Sequence, residues 1–163
     1  MRLLTIIYIY MFLSEDEMKS VMYSYQLNEI VDNDSDIILD GINAGIAEVK
    51  SYFTASNQNQ WNDGRPRYDT EAIFGAEGDV RDAWVLRMCK TVAAWNICEL
   101  ANVDIIYDHV KDRYEKVIKN LEKIAGIGYY ANSPSLTPNL PTINEEPASL
   151  PFRRGSRQKF NHE

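Results

Sequence analysis

Between Asp34 and Ala125 the chain carries three long runs of helical apolar periodicity. They are interrupted once, by the aromatic and arginine-rich crossing Arg65-Pro66-Arg67-Tyr68-Asp69-Thr70-Glu71-Ala72-Ile73-Phe74-Gly75. Apolar residues at three- and four-residue spacing line one face of a helix, and that face has to be buried against another element. Three such runs constrain the chain to an all-α helical bundle. In the first, Ile38, Ile42, Ile46, Val49 and Phe53 form one stripe, while Gly41, Ala44, Gly45 and Ala47 thin out much of the rest. Each glycine costs about 1 kcal/mol of helix propensity, so the small residues predict a second backbone crossing closely there. The second run, from about Asp79 to Asn102, is apolar nearly all round: Trp84, Met88, Thr91, Trp95 and Cys98 share one face, and Leu86, Ala93, Ile97 and Leu100 another. Such a helix belongs in the middle of a bundle. The third, from about Asp104 to Ala125, turns Val110, Tyr114, Val117, Leu121 and Ile124 inward. Its outer face is charged, with Asp112–Lys116 and Glu115–Lys119 as i to i+4 pairs.

A shorter helix precedes these. Ser14-Glu15-Asp16-Glu17 has the form of a capping box, and the helix it opens is expected to end near Tyr23 to Tyr25. The acidic turn Asp32-Asn33-Asp34-Ser35-Asp36 then caps the first long helix, giving about four helices in all. The stretch Thr54–Gly78 is too long for an idle connection. Its aromatics Trp61, Tyr68 and Phe74 either fold it back on the core or present a contact surface, and the first is favoured because unpartnered exposed aromatics promote aggregation.

Both ends differ in character from the body. Residues 1–11 form an N-terminal extension, and the apolar stretch Leu3–Leu13 is too short to span a bilayer. An acidic Ser14-Glu15-Asp16-Glu17 follows it where a secretory signal would place a small-residue cleavage site. The stretch is read either as an extension upstream of a start at Met11 or as a strand that needs a partner's edge. Residues 12–125 are the helical domain. Residues 126–163, punctuated by Pro134, Pro138, Pro141, Pro147 and Pro151, read as an extended arm with no core of its own. The arm ends in Phe152-Arg153-Arg154-Gly155-Ser156-Arg157-Gln158-Lys159-Phe160, whereas residues 1–125 hold 13 basic and 21 acidic groups, so arm and body are complementary in charge.

No cluster of residues has the types and spacing of a catalytic, cofactor or metal site, and the chain is not expected to be an enzyme. His109 sits alone beside Asp108 on a helix, and His162 lies next to the terminus. Gly75-Ala76-Glu77-Gly78-Asp79 lacks the Gly-Lys-Ser/Thr of a phosphate cradle and carries carboxylates that would repel phosphate. The turn after Asp32 lacks the sixth-position glycine and terminal glutamate of a calcium loop. Cys89 and Cys98, nine residues apart on one helix, point to opposite faces and read as buried thiols. A net charge of −7 excludes a protein that works by neutralising phosphates over its whole surface. The basic terminus is the exception, open to nucleic acid, an acidic protein surface or solvent alone.

A series of short motifs, taken in order, adds to this. Phe12-Leu13-Ser14-Glu15-Asp16-Glu17-Met18, Ile42-Asn43-Ala44-Gly45-Ile46-Ala47-Glu48-Val49-Lys50-Ser51-Tyr52-Phe53, Arg67-Tyr68-Asp69, Ile73-Phe74, Arg81-Asp82 and Arg113-Tyr114-Glu115-Lys116-Val117-Ile118-Lys119-Asn120-Leu121 together resemble the Mu-like phage head-tail connector family. The resemblance spans Phe12 to about Pro141; the N-terminal extension and the basic tail depart from it. It implies a small α-helical adaptor, a virion component assembled in the host cytoplasm. The adaptor would form a homo-oligomeric ring, a dodecamer, beneath the portal protein, contact tail or stopper proteins, and pass DNA without binding it or any membrane. On that reading Thr54–Gly78 and the arm after Gly126 make the intersubunit and portal contacts. Trp61, Arg65, Arg67, Tyr68 and Phe74 are the candidate anchors, because arginine and aromatic residues dominate interface hot spots. Phe152, Arg153, Arg154, Arg157 and Lys159 are the candidate arm contacts. The alternative is a cytosolic helical interaction module, a regulator acting through its C-terminal arm.

Overall fold

The computed structural model describes residues 12–57, 66–101, 108–127 and 136–143, and among these the chain is all-α with no β-strand. The N-terminal extension, and with it the reading of residues 1–11 as a strand, lies outside the described residues. The frame is made by α2 (Ser35–Asn57), α4 (Ala83–Leu100) and α5 (Asp108–Ala125). Two shorter helices, α1 (Ser24–Ile30) and α3 (Thr70–Phe74), and 3₁₀ helices at Glu15–Ser20 and Gly78–Val80 complete it.

α2 and α4 cross antiparallel, and the two glycines set how closely. Gly41 lies against Ile97, whose backbone N would be 3.0 Å from an added Cβ, and Gly45 lies against Ala93, 2.7 Å from its backbone N on the same measure. The stripe expected on α2 faces inward, with Ile38, Ile42, Val49 and Phe53 at 1% exposure or less and Ile46 half-buried against them. α4 is central, as its all-round apolarity requires: Val85, Met88, Cys89, Val92, Ala93 and Ile97 are buried between its neighbours. Asp82 caps it, Oδ1 accepting from the backbone N–H groups of Trp84 and Val85 at 2.9 and 2.8 Å. α5 closes the frame through Val110, Leu121 and Ile124, and Trp95 of α4 stacks on Tyr114 of α5 at 5.0 Å between ring centroids.

Two expectations need correction. The helix opened by Ser14 is a 3₁₀ helix that stops at Ser20, and α1 starts anew at Ser24. The capping box itself is present, but Glu17 also answers to Arg81, and that long-range pull is invisible in the local sequence. Chain reversal after α1 uses Asp32 and Asn33 in left-handed conformation (φ 52° and 61°). The Asn33 N–H reaches back to the Asn28 carbonyl at 2.9 Å, so these residues end one helix, while Asp34 accepts from the Asp36 N–H to begin the next.

The second correction concerns the arm. Residues 136–143 dock on their own body: Asp69 N–H donates to the Pro141 carbonyl at 2.9 Å and Ile143 N–H to the Arg67 carbonyl at 2.8 Å. Leu140 is buried. The extended segment 67–69 is held on its other edge by Asn57, whose side-chain amide accepts from Tyr68 N–H (2.8 Å) and donates to the Tyr68 carbonyl (2.6 Å). An extended segment presents alternate residues' polar groups to opposite edges, and both edges here are satisfied.

Tyr68 is thereby driven into the core, edge-on to Phe53 at 5.3 Å and 1% exposed. Its hydroxyl has no hydrogen-bond partner among the described residues, and burial pushes its pKa up to about 12. A buried polar atom left unpaired costs about 1–3 kcal/mol. Tyr68→Phe should therefore raise the unfolding free energy by about 1 kcal/mol, seen as a higher urea midpoint at unchanged slope. A lower midpoint would show that the hydroxyl is bonded in solution.

Candidate interaction surface

An open groove of about 700 Å³ lies between the N-terminal half of α4, the middle of α5 and the end of the first 3₁₀ helix. Its walls include the apolar side chains of Val21, Trp84, Leu86 and Val117. Four cations line it, Arg87, Lys90, Arg113 and Lys116, and no Asp or Glu does. Helical geometry explains the grouping: Arg87 and Lys90 are three apart on α4, Arg113 and Lys116 three apart on α5, so each pair shares a face. Lys90 Nζ donates to Ser20 Oγ at 3.2 Å, and Arg113 reaches the Val21 carbonyl at 3.4 Å. Arg87 and Lys116 are exposed and form no ion pair among the described residues. The expected Asp112–Lys116 and Glu115–Lys119 pairs do not close either; the ion pairs found among the described residues are Lys50–Glu71 (2.7 Å) and Glu17–Arg81 (2.6 Å).

Of the anchors expected from the sequence, Trp61 and Arg65 lie outside the described residues, as do the arm contacts Phe152, Arg153, Arg154, Arg157 and Lys159. Arg67 is exposed. Tyr68 is a core residue, and Phe74 is half-buried, its ring 5.3 Å from Phe12 and 5.9 Å from Phe53. Neither aromatic stands free to meet a partner, because the fold uses both to close the loop onto α2. For Tyr68 and Phe74 this is the first of the two outcomes weighed, and burial of Tyr68 corrects its use as an anchor.

No described group of three or more His, Cys, Asp and Glu side chains is arranged to hold a metal ion. Both cysteines are free and buried, and burial pushes the Cys89 thiol up to about 12, so it stays protonated at neutral pH. His109 is exposed. Glu48 gathers a half-buried polar cluster between α2, α4 and α5, accepting from the Tyr114 hydroxyl at 2.7 Å and from Asn96 at 3.3 Å. Burial and the adjacent Glu48 both raise the Tyr114 pKa, so this phenol acts as a donor that ties α5 to α2. No described helix is long and apolar enough to cross a membrane.

The groove cations escaped the sequence reading because a three-residue basic spacing on each of two helices is commonplace. Only the antiparallel packing of α4 on α5 makes them one site. Comparison of the chain with protein families, curated proteins and solved structures finds no match.

Proposed function

We propose that this chain is a structural subunit of a tailed-phage or prophage virion, a head-tail connector that assembles as a ring beneath the portal and lines the DNA channel. One observation carries the reading: the motifs behind the family resemblance, scattered over the sequence, converge in the fold. Glu17 of the first motif grips Arg81 of the fifth. Phe12, Phe53, Tyr68 and Phe74, from four different motifs, form one aromatic cluster. Gly45 of the second motif sets the helix crossing, and Tyr114 of the last bonds Glu48 of the second. The resemblance therefore marks residues that hold this architecture together, as a shared fold would require. A net charge of −7 suits a conduit that DNA must traverse without sticking, since a negative wall supplies no phosphate sites.

Native mass spectrometry and negative-stain imaging of the full chain, alone and mixed with its portal protein, test this. Closed rings of many copies are expected. A protein that stays monomeric in both samples would overturn the reading. Tyr68→Ala is a poor probe of such contacts: removing that ring from the core should cost about 3–5 kcal/mol and impair assembly through unfolding alone.

A further inference from the structure

The basic groove has a counterpart elsewhere on the same molecule. No Lys or Arg occurs between Lys19 and Lys50, and Glu29, Asp32, Asp34, Asp36 and Asp40 in that interval are all exposed. On the outer face of α2, Asp36, Leu39, Asp40 and Asn43 follow one another at three-, one- and three-residue steps, which places them along a single exposed stripe. Leu39, at 37% exposure, is one of seven large apolar side chains exposed among the described residues, and the one set between carboxylates on this stripe. The stripe thus presents one apolar side chain flanked by two carboxylates. The groove presents apolar walls flanked by four cations.

The two cannot meet within one chain. Gly41 is level with Ile97 and Gly45 with Ala93, so Asp36 sits beyond the C-terminal end of α4 while Arg87 sits near its start. At 1.5 Å per residue the separation along the helix pair is about 20 Å. Complementary surfaces at opposite ends of a rigid body satisfy each other only between copies. Such a contact is heterologous, head to tail, and repeats into a ring when the rotation per subunit closes.

We infer that the α4–α5 groove receives the Asp36–Leu39–Asp40 stripe of a second copy of this chain, and that this contact builds the ring. The inference rests on the connector reading above and names the surfaces it would use. Leu39 enters between Trp84 and Val117, and the two aspartates meet Arg87 and Lys116, the groove cations not otherwise bonded. The charges fix register and speed encounter, while the buried leucine resists dissociation. Covering the groove also removes the body's concentrated basic patch from any DNA passing through.

The test uses three variants of the full chain, each first shown to be folded by circular dichroism. Sedimentation velocity at low salt then follows self-association. Arg87→Glu/Lys116→Glu and Asp36→Lys/Asp40→Lys should each weaken association at least tenfold, and Leu39→Ser should do so without any change of charge. A 1:1 mixture of the two charge-reversed proteins should restore it, because each offers the face that the other's altered face now fits. Raising salt should weaken the wild-type contact through screening. Wild-type-like rings from Arg87→Glu/Lys116→Glu, or a mixture that fails to associate, would overturn the groove contact and leave the connector reading standing. Groove reversal that spares self-association but abolishes portal capture would assign the groove to the portal and equally overturn the inference. A wild-type chain that is monomeric alone and beside the portal would overturn both.

Discussion

Gly45→Ala should destabilise this protein by about 2 kcal/mol, and Gly45→Val by about 4 kcal/mol, against the ordinary expectation that removing a helical glycine helps. The added Cβ would stand 2.7 Å from Ala93 N, 2.8 Å from Ala93 Cα and 3.0 Å from Ala93 Cβ. Backbone atoms cannot rotate aside, so α2 and α4 must separate and loosen the contacts of Ile42 and Val49 on either side. The helix-propensity gain of about 1 kcal/mol opposes this and loses, since overpacking a close-packed core typically costs 1–3 kcal/mol and more for a β-branched side chain. Thermal unfolding should show the alanine variant melting about 4–8 °C lower. A melting point raised by the alanine would mean that the helices do not cross at the glycines.

Arg81→Ala should cost about 3 kcal/mol at neutral pH. The guanidinium makes four bonds: Nε to the Gly78 carbonyl (2.8 Å), Nη1 to the Phe12 carbonyl (2.8 Å) and Glu17 Oε2 (2.9 Å), and Nη2 to Glu17 Oε1 (2.6 Å). It fastens the first described residues to the entry of α4, which lets Phe12 and Leu13 remain in the core. The fork accepts both carboxylate oxygens at once, a geometry lysine cannot reproduce. The Arg81 hydrogen bonds hold Glu17 down at about 2, helped by Ser14 and opposed by burial. A carboxylate whose folded pKa lies below its unfolded value contributes stability above the unfolded value, near 4.5, and loses it as pH falls through about 2. The stability difference between wild type and Glu17→Gln should therefore be about 2 kcal/mol at pH 7, discounted because the Glu17 side chain is 26% exposed, and should shrink toward zero near pH 2. Urea midpoints at several pH values read this directly. A difference that does not change with pH would remove the ion pair from the account.

These two sites differ in how far they could be read in advance. The glycines announced a close crossing, because a helix that tolerates them must gain something from the missing side chains. What they could not name was the partner: Ile97 and Ala93 were expected on an apolar face of the next helix without register against α2. Glu17 was read correctly as a capping residue and incompletely as an ion-pair partner, because capping is decided three residues away and Arg81 lies far along the chain. The aromatics of the long loop were legible as needing burial. Which of them reached it was settled by Asn57 and Pro141, whose bonds fix the segment around Tyr68.

Periodicity and local chemistry follow from the order of residues alone, so the sequence determined the helical class, the inward stripes of α2 and α5, the central place of α4, the capping box and the acidic balance of the body; which face of α4 is most deeply buried, through Val85, Cys89 and Val92 with Leu100 left exposed, it did not. Contacts between distant segments depend on how faces register in space, and no local pattern encodes that. The tertiary structure alone therefore decided that residues 136–143 return to the body, that Tyr68 is core, and that two unremarkable basic pairs become one groove about 20 Å along the helix pair from an acidic stripe.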